Sequence, residues 1–412
     1  MPVAFLPTVC SHAPVSRTGV IPIVNFPDWQ LLRVEAFGAS AVSWPGANRP
    51  DDYWVQKKNL QFLEKNPQGI ETKGLVLRHR PSGRQILLTE QTFFFHLAGQ
   101  VSDNAKGETS RFDFRRRMLS PFSFKILCLG QFLTSGDYCQ DGLELLTPRE
   151  SIDLLSGVAD SILQHDPSYT GVLLKDLFPT DHSATEELRN RGYFLLPTDP
   201  VMELEIPDHW RSMDDYLEDI TSKYRVRYRR ARGKMEGLSS RALSPLEINI
   251  HLPRIYDLYT LTSSGADFNA AKLKQDYFGW LAGQEEVNVK GYFDQYNHLV
   301  AFTTTIANGP ILHAHYLGME DAFKHSHHLY HNILFDLLES AIEGGFQKLD
   351  FGRTALEIKS SIGAVPKEFA CLLKARSGII NRLIPLFTPA VYTAQAWTPR
   401  SPFKASTVSS RN

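Results

Sequence analysis

The chain has 412 residues, 42% of them hydrophobic, which is too long for one ordinary core and too apolar for a disordered chain. Its 44 Lys and Arg against 45 Asp and Glu leave a net charge of -1, excluding a globally basic nucleic-acid coat and an acidic solvating chain. The four cysteines, Cys10, Cys128, Cys139 and Cys371, are far apart with no CxxC pair; they suggest neither a disulfide framework nor a cysteine zinc site and fit a reducing, cytoplasmic compartment.

In chain order, residues 1–44 read as an extended N-terminal arm. Pro2, Pro7, Pro14, Pro22 and Pro27 interrupt it, and no basic residue precedes Arg17, unlike the start of a signal peptide. From 45 to 206 the pattern predicts a helix over 51–65, strands over 74–80 and 85–97 joined by a Pro81-Ser82-Gly83 turn, and a polar segment over 99–110. Arg115, Arg116 and Arg117 follow, then a strand over 124–132 and a loop with Ser135, Gly136 and Asp137. A helix over 148–164, a strand over 171–175, a helix over 183–191 and extended chain to Ile206 complete this half.

The segment 207–239 is a connector, with one helix expected over 212–237. Its first part is acidic, and its second carries Lys223, Arg225, Arg227, Arg229, Arg230, Arg232 and Lys234, seven cations within 12 residues. That order suits the helix macrodipole, so a solvated bridging helix is one reading. The other is a phosphate site, with Tyr224 and Tyr228 interleaved and Arg227, Arg229 and Arg230 as the binding residues for a phosphate-bearing ligand or acceptor.

From 240 to 376 the element order repeats. Helices are expected over 252–262 and 269–283, then three antiparallel strands over 287–293, 299–307 and 311–318, with Asn308-Gly309 as a tight turn. Leu329, Ile333, Leu337 and Ala341 recur at four-residue spacing in a helix over 326–343 that Ser326 would cap and Gly344-Gly345 would end. A strand over 348–351, a short helix over 355–361 and a strand over 368–376 follow. The tail, 377–412, holds an uncharged stretch over 383–398 with Pro385, Pro389, Tyr392 and Trp397. It reads as a chain end packed on the protein, with peripheral membrane contact as the other reading, since no stretch reaches the roughly 18 apolar residues of a membrane span.

Two successive units of three strands, helix and strand, joined by a basic helical stretch, resemble the tandem GNAT-type fold of the Fem-type aminoacyl transferases and of envelope-polysaccharide-associated GNAT acetyltransferases. Local support comes from Tyr316-Leu317-Gly318 before a helix, Leu349-Asp350-Phe351-Gly352-Arg353-Thr354, and Lys359-Ser360-Ser361-Ile362-Gly363. The resemblance implies an α/β (α+β) fold of two GNAT-like units, each a mixed, mostly antiparallel sheet flanked by helices. It also implies a transferase that moves an acyl or aminoacyl group onto an amine or hydroxyl of a cell-envelope precursor or similar sugar or peptide acceptor, and it gives Lys359 a role in the transfer step. Such a transfer builds negative charge on a carbonyl oxygen, which a fixed ammonium can stabilise.

Asp350 is a further catalytic candidate, although a simple Asp350–Arg353 pair across the Gly352 turn is the alternative. His315 is expected near the transfer centre as general base or hydrogen-bond donor. The donor would lie on Gly318, Lys324, His325, Ser326, His327, His328 and Arg353. No glycine stands between Gly318 and Gly344, so the glycine-rich loop that cradles a coenzyme A pyrophosphate is missing. Acetyl-coenzyme A and aminoacyl-tRNA both stay open as donors. Six of the 14 histidines, His313, His315, His325, His327, His328 and His331, fall within 19 residues, but no spacing matches a zinc motif and no metal is expected. Two alternatives stand beside this reading: an acetyl-coenzyme A-dependent N-acetyltransferase with an atypical donor loop, and a non-catalytic protein of the same fold that binds a phosphorylated or nucleic-acid ligand through the basic helix.

Overall fold

The computed structural model describes residues 20–34, 49, 51–96, 123–179, 182–263, 272–391 and 396–404. The polar segment 99–110, Arg115, Arg116, Arg117, Tyr392 and most of the Ser- and Arg-rich end lie outside the described residues.

The first half supplies β1 (Val20–Ile23), β2 (Phe26–Val34), a 3-10 turn (Tyr53–Val55), α1 (Lys57–Lys65), β3 (Glu71–His79), β4 (Gln85–His96), β5 (Ser123–Leu129) and β6 (Gln140–Asp141). Next come α2 (Pro148–His165), β7 (Gly171–Pro179), α3 (His182–Asn190), β8 (Phe194–Leu196) and β9 (Val201–Glu205). The connector holds α4 (Met213–Asp219) and α5 (Ser222–Gly233). The second half runs β10 (Ser239–Ala242), α6 (Pro245–Ser263), α7 (Gln275–Leu281), β11 (Val287–Phe293), β12 (Leu299–Asn308), β13 (Ile311–Met319), α8 (Asp321–Ser326) and α9 (Leu329–Glu343). It ends with β14 (Lys348–Asp350), α10 (Leu356–Ser360), β15 (Val365–Lys367), β16 (Phe369–Ala375) and α11 (Gly378–Val391).

Two mixed sheets result. The first has the order β1-β2-β3-β4-β5-β7-β16-β8, with β6 beside β4; the second has β10-β11-β12-β13-β14-β9-β15. Among the described residues each contains one parallel pair, β5 with β7 and β13 with β14, and its other pairs are antiparallel. A helix crosses over between the members of each pair, α2 in the first half and α9 in the second, as parallel neighbours require. Leu154, Leu155, Val158 and Ile162 bury the α2 stripe on the first sheet, and Ile333, Leu337 and Ala341 bury the α9 stripe on the second. The fold class is therefore two tandem GNAT-like units of mixed α and β structure.

The sheets exchange strands. β9 comes from the first half yet lies between β14 and β15, and β16 comes from the second half yet lies between β7 and β8. A third core cluster joins the halves, packing Trp54, Phe93 and Cys128 with Tyr259, Tyr277 and Phe302. Full burial stabilises by roughly 1.5–3 kcal/mol per large apolar side chain, so a handful of such contacts binds the halves strongly.

Several elements differ from expectation. The end of the N-terminal arm, Val20–Val34, forms a hairpin on the first sheet, because Ile23 and Leu31 find a buried face there. The single connector helix is two helices, broken at Ile220 and Thr221, where the chain end crosses: Ile220 bridges to Phe403, and the Thr221 N–H donates to the Pro402 carbonyl. The tail is thus packed on the protein at Trp397 and Phe403. Ser326 does not cap the long helix but ends α8; the cap position of α9 is His328, in the left-handed region at φ 48°. Helix α6 begins seven residues early, since Ser244 and Glu247 exchange capping-box hydrogen bonds around Pro245. Among the described residues no helix is long and apolar enough to cross a membrane.

Candidate functional site

Parallel pairing of β13 with β14 runs Ile311 with Lys348, Leu312 with Leu349, and His313 with Asp350, and stops there. Beyond that point the strands part. On its other side β13 bulges against β12, slipping register between Thr303 and Thr305, and the Thr304 hydroxyl ties off both the N–H and the carbonyl of Tyr316. The separation opens a cleft of about 200 Å³, walled by Trp54 from the 3-10 turn, the loop 132–135 after β5, His313 to Tyr316, and Asp350 to Arg353. It lies between the two halves of the chain. Asp52 places Trp54 by accepting its N–H, and Gly130 at φ 132° lets the loop approach β7, where a Cβ would meet the Lys175 carbonyl oxygen.

At the point of divergence His313 Nδ1 lies 3.2 Å from Asp350 Oδ2, both side chains nearly inaccessible. A carboxylate only accepts, so Nδ1 carries the proton. Asn308 agrees with that tautomer: its Oδ1 accepts the Tyr53 N–H, which turns its Nδ2 toward His313 Nε2, a long contact of 3.4 Å. Asp350 also accepts the Gly352 N–H at 2.7 Å. His315 shares a 2.7 Å hydrogen bond with the Tyr277 hydroxyl, and burial, helped by His313, pushes its pKa down to about 3. It is a neutral imidazole at pH 7.

A buried ion cluster supports the opposite wall. Asp176 binds Lys175 Nζ at 2.6 Å and Arg353 Nη2 at 2.6 Å, and accepts the Gly136 N–H. Burial by itself would raise the Asp176 carboxyl, but Lys175 and Arg353 hold it below the ordinary carboxylate range. The expected alternative pairing of Asp350 with Arg353 is corrected here: each faces its own partner, Asp350 toward His313 and Arg353 toward Asp176. The segment that parts them is tightly turned, with Gly352 at φ 67°, Thr354 at 67° and Ala355 at 49°. Lys359 stands behind it. Its buried Nζ donates to the carbonyls of Gly352 and Arg353 at 3.2 and 2.6 Å, and burial lowers its pKa to about 7 against the pull of Asp350 and Asp199. Two donors in the cleft wall, Trp54 Nε1 and Arg353 Nε, are buried without a hydrogen-bond partner.

The sequence-derived residues therefore fall into three places. His315, Asp350 and Arg353 line the cleft, with Lys359 behind its floor. Lys324, His325, Ser326, His327 and His328 sit at the junction of α8 and α9, away from it. Arg227 reaches toward that junction, since its charge and that of His328 add to the burial that lowers the His331 pKa, while Arg229 and Arg230 are exposed on α5. Gly318 has a packing explanation: a Cβ there would lie 2.5 Å from the Leu258 carbonyl carbon of α6. Among the described residues no group of three or more His, Cys, Asp or Glu is arranged to hold a metal. Reasoning from sequence missed Trp54, Asp176 and the partnership of His313 with Asp350. For the last, the clue was His313 two residues before His315 on one strand; for the other two no local signal existed.

No family model matches the chain, and no curated sequence does. Solved structures do. FemX matches at a TM-score of 0.50 with 10% identity, covering 84% of this chain and 99% of FemX. L-PGS from Bacillus licheniformis matches at 0.47 with 11% identity, covering 86% and 100%. A GCN5-related N-acetyltransferase from Sphaerobacter thermophilus matches at 0.39 with 9% identity, covering 84% and 96%. At such identities the likeness to FemX is one of fold: a tandem GNAT-like architecture resembling the Fem-type transferases.

Proposed function

We propose that the chain is an acyltransferase, moving an acyl or aminoacyl group onto an amine or hydroxyl bound in the cleft between β13 and β14. The observation that carries this reading is the His313–Asp350 pair at the point where the two strands part. The acceptor's nucleophile sheds its proton to His313 Nε2, which gives up its long contact with Asn308 to receive it, as it attacks the donor carbonyl, and Asp350 stabilises the imidazolium that forms. The leaving thiol or hydroxyl then takes the proton back as the tetrahedral intermediate collapses. His315, neutral and held by Tyr277, supplies a fixed dipole beside the reacting atoms. Lys359 holds the segment that presents Asp350 and Arg353, so it acts on the site through the backbone.

The donor's phosphate-bearing portion belongs on the α8–α9 junction, where Lys324, His325, His327 and His328 cluster before the N–H groups of the first turn of α9. Arg227, Arg229 and Arg230 have no acidic partner among the described residues and extend this surface toward a longer polyanion. That extent favours an aminoacyl-tRNA over acetyl-coenzyme A. An envelope precursor or a similar sugar or peptide is the acceptor class. The test is mass-spectrometric detection of acylated products when the protein meets a panel of amine acceptors with acetyl-coenzyme A or charged tRNA. Product should form with the wild type and fall by about two orders of magnitude in His313→Gln and Asp350→Asn. Absence of transfer from either donor would remove the reading.

A further inference from the structure

Buried donors are almost always partnered, so two unpartnered ones in the wall of one cleft point to an acceptor that a ligand brings. Trp54 Nε1 and Arg353 Nε are both buried, and Trp54 and Arg353 both line the cleft. An indole N–H and a guanidinium are donors only, and what completes them is an oxygen without a proton. The guanidinium is fixed for that task, since Asp176 engages its Nη2 from behind while Lys175 leans on the same carboxylate, leaving one cation in excess at this wall. Across the cleft the character reverses. Asp350 lines that wall as a carboxylate whose oxygens keep lone pairs beyond those engaged by His313 Nδ1 and the Gly352 N–H, and it faces a group that carries protons. The lining is thus bipolar within a volume of about 200 Å³, which admits a few heavy atoms between the two ends.

We propose that the cleft binds a small amine that bears its own carboxylate, as a free amino acid does, with the carboxylate on Arg353 and Trp54 and the amine at His313 and Asp350. The role of the amine as nucleophile rests on the acyl-transfer reading. The carboxylate contact rests on the two donors alone. Asp176 is the positioning residue of this arrangement, because it fixes the guanidinium without reaching the ligand.

The experiment uses the full chain, labelled with nitrogen-15, and follows the indole N–H signal of Trp54, assigned by its loss in Trp54→Phe. The probes are acetate and acetamide, and L-alanine and L-alaninamide. L-Alanine and acetate should shift the signal saturably, L-alanine at the lower concentration, while the two amides leave it in place. Followed calorimetrically, Arg353→Lys, which keeps the charge beside Asp176, should weaken L-alanine by at least about tenfold, and Trp54→Phe should weaken it measurably. An amide that shifts the signal as far as its carboxylate overturns the proposal. So does the absence of any shift with L-alanine, or unchanged affinity in Trp54→Phe. Failure of the acyl-transfer reading looks different: L-alanine still binds, and no donor acylates it or any other amine.

Discussion

Lys359 shows how a residue can matter to a site without touching it. Its ammonium is buried on two backbone carbonyls, and burial lowers its pKa from 10.5 to about 7. Unfolding restores the ordinary value, so between about pH 7 and 10.5 the unfolded chain binds more protons than the folded one. The stability of the wild type should rise with pH across that window; below it both states are protonated, the folded chain carries the full cost of the buried ammonium, and the dependence vanishes. Lys359→Met keeps the stem and removes the titration, so its stability relative to wild type should decline from pH 7 toward pH 10. Urea unfolding at the two ends of the window measures this; parallel curves would place the ammonium in water. Turnover should fall by roughly one to two orders of magnitude, because the loosened segment carries both Asp350 and Arg353.

The connector divides by the job of each cation. Arg225 donates to the Leu217 and Ile220 carbonyls across the break between α4 and α5, and Arg232 binds Asp336 and Glu339 of α9. Those two hold structure. Replacing Arg227, Arg229 and Arg230 together by Ala should leave the fold intact and weaken tRNA binding, with its salt slope reduced by roughly two to three units. Filter binding across a salt series measures it, and an unchanged slope would make these arginines a solvated face. Sequence spacing sufficed for elements with a strong period, such as the α9 stripe from Leu329 to Ala341 and the β3–β4 hairpin at Ser82 and Gly83. It failed at Ser326 because a cap depends on local backbone geometry, which His328 supplies by entering the left-handed region. It failed again at the connector because what breaks that helix is Phe403, some 180 residues away in sequence.

At the scale of the molecule, the exchange of β9 and β16 was beyond any local reading. Periodicity tells that Val201–Glu205 and Phe369–Ala375 are strands, but the choice of sheet is made by long-range pairing and shared burial. The same holds for Arg353, whose partner Asp176 lies 177 residues earlier, in the sheet that β16 completes. The exchange has a thermodynamic consequence. If the chain is divided between Ile206 and Pro207, the first fragment loses the strand between β7 and β8, and the second loses the strand between β14 and β15. Each fragment would expose unpaired N–H and carbonyl groups on both sides of the gap and the apolar surface of the shared cluster. Neither should show a cooperative thermal transition alone, whereas co-expression should restore one transition and the L-alanine shift of the Trp54 signal. Calorimetry of the separate fragments decides the point: a fragment that melts cooperatively by itself would mean that the exchanged strands adorn two independent domains, and the coupling of Asp176 to Arg353 would then lose its foundation.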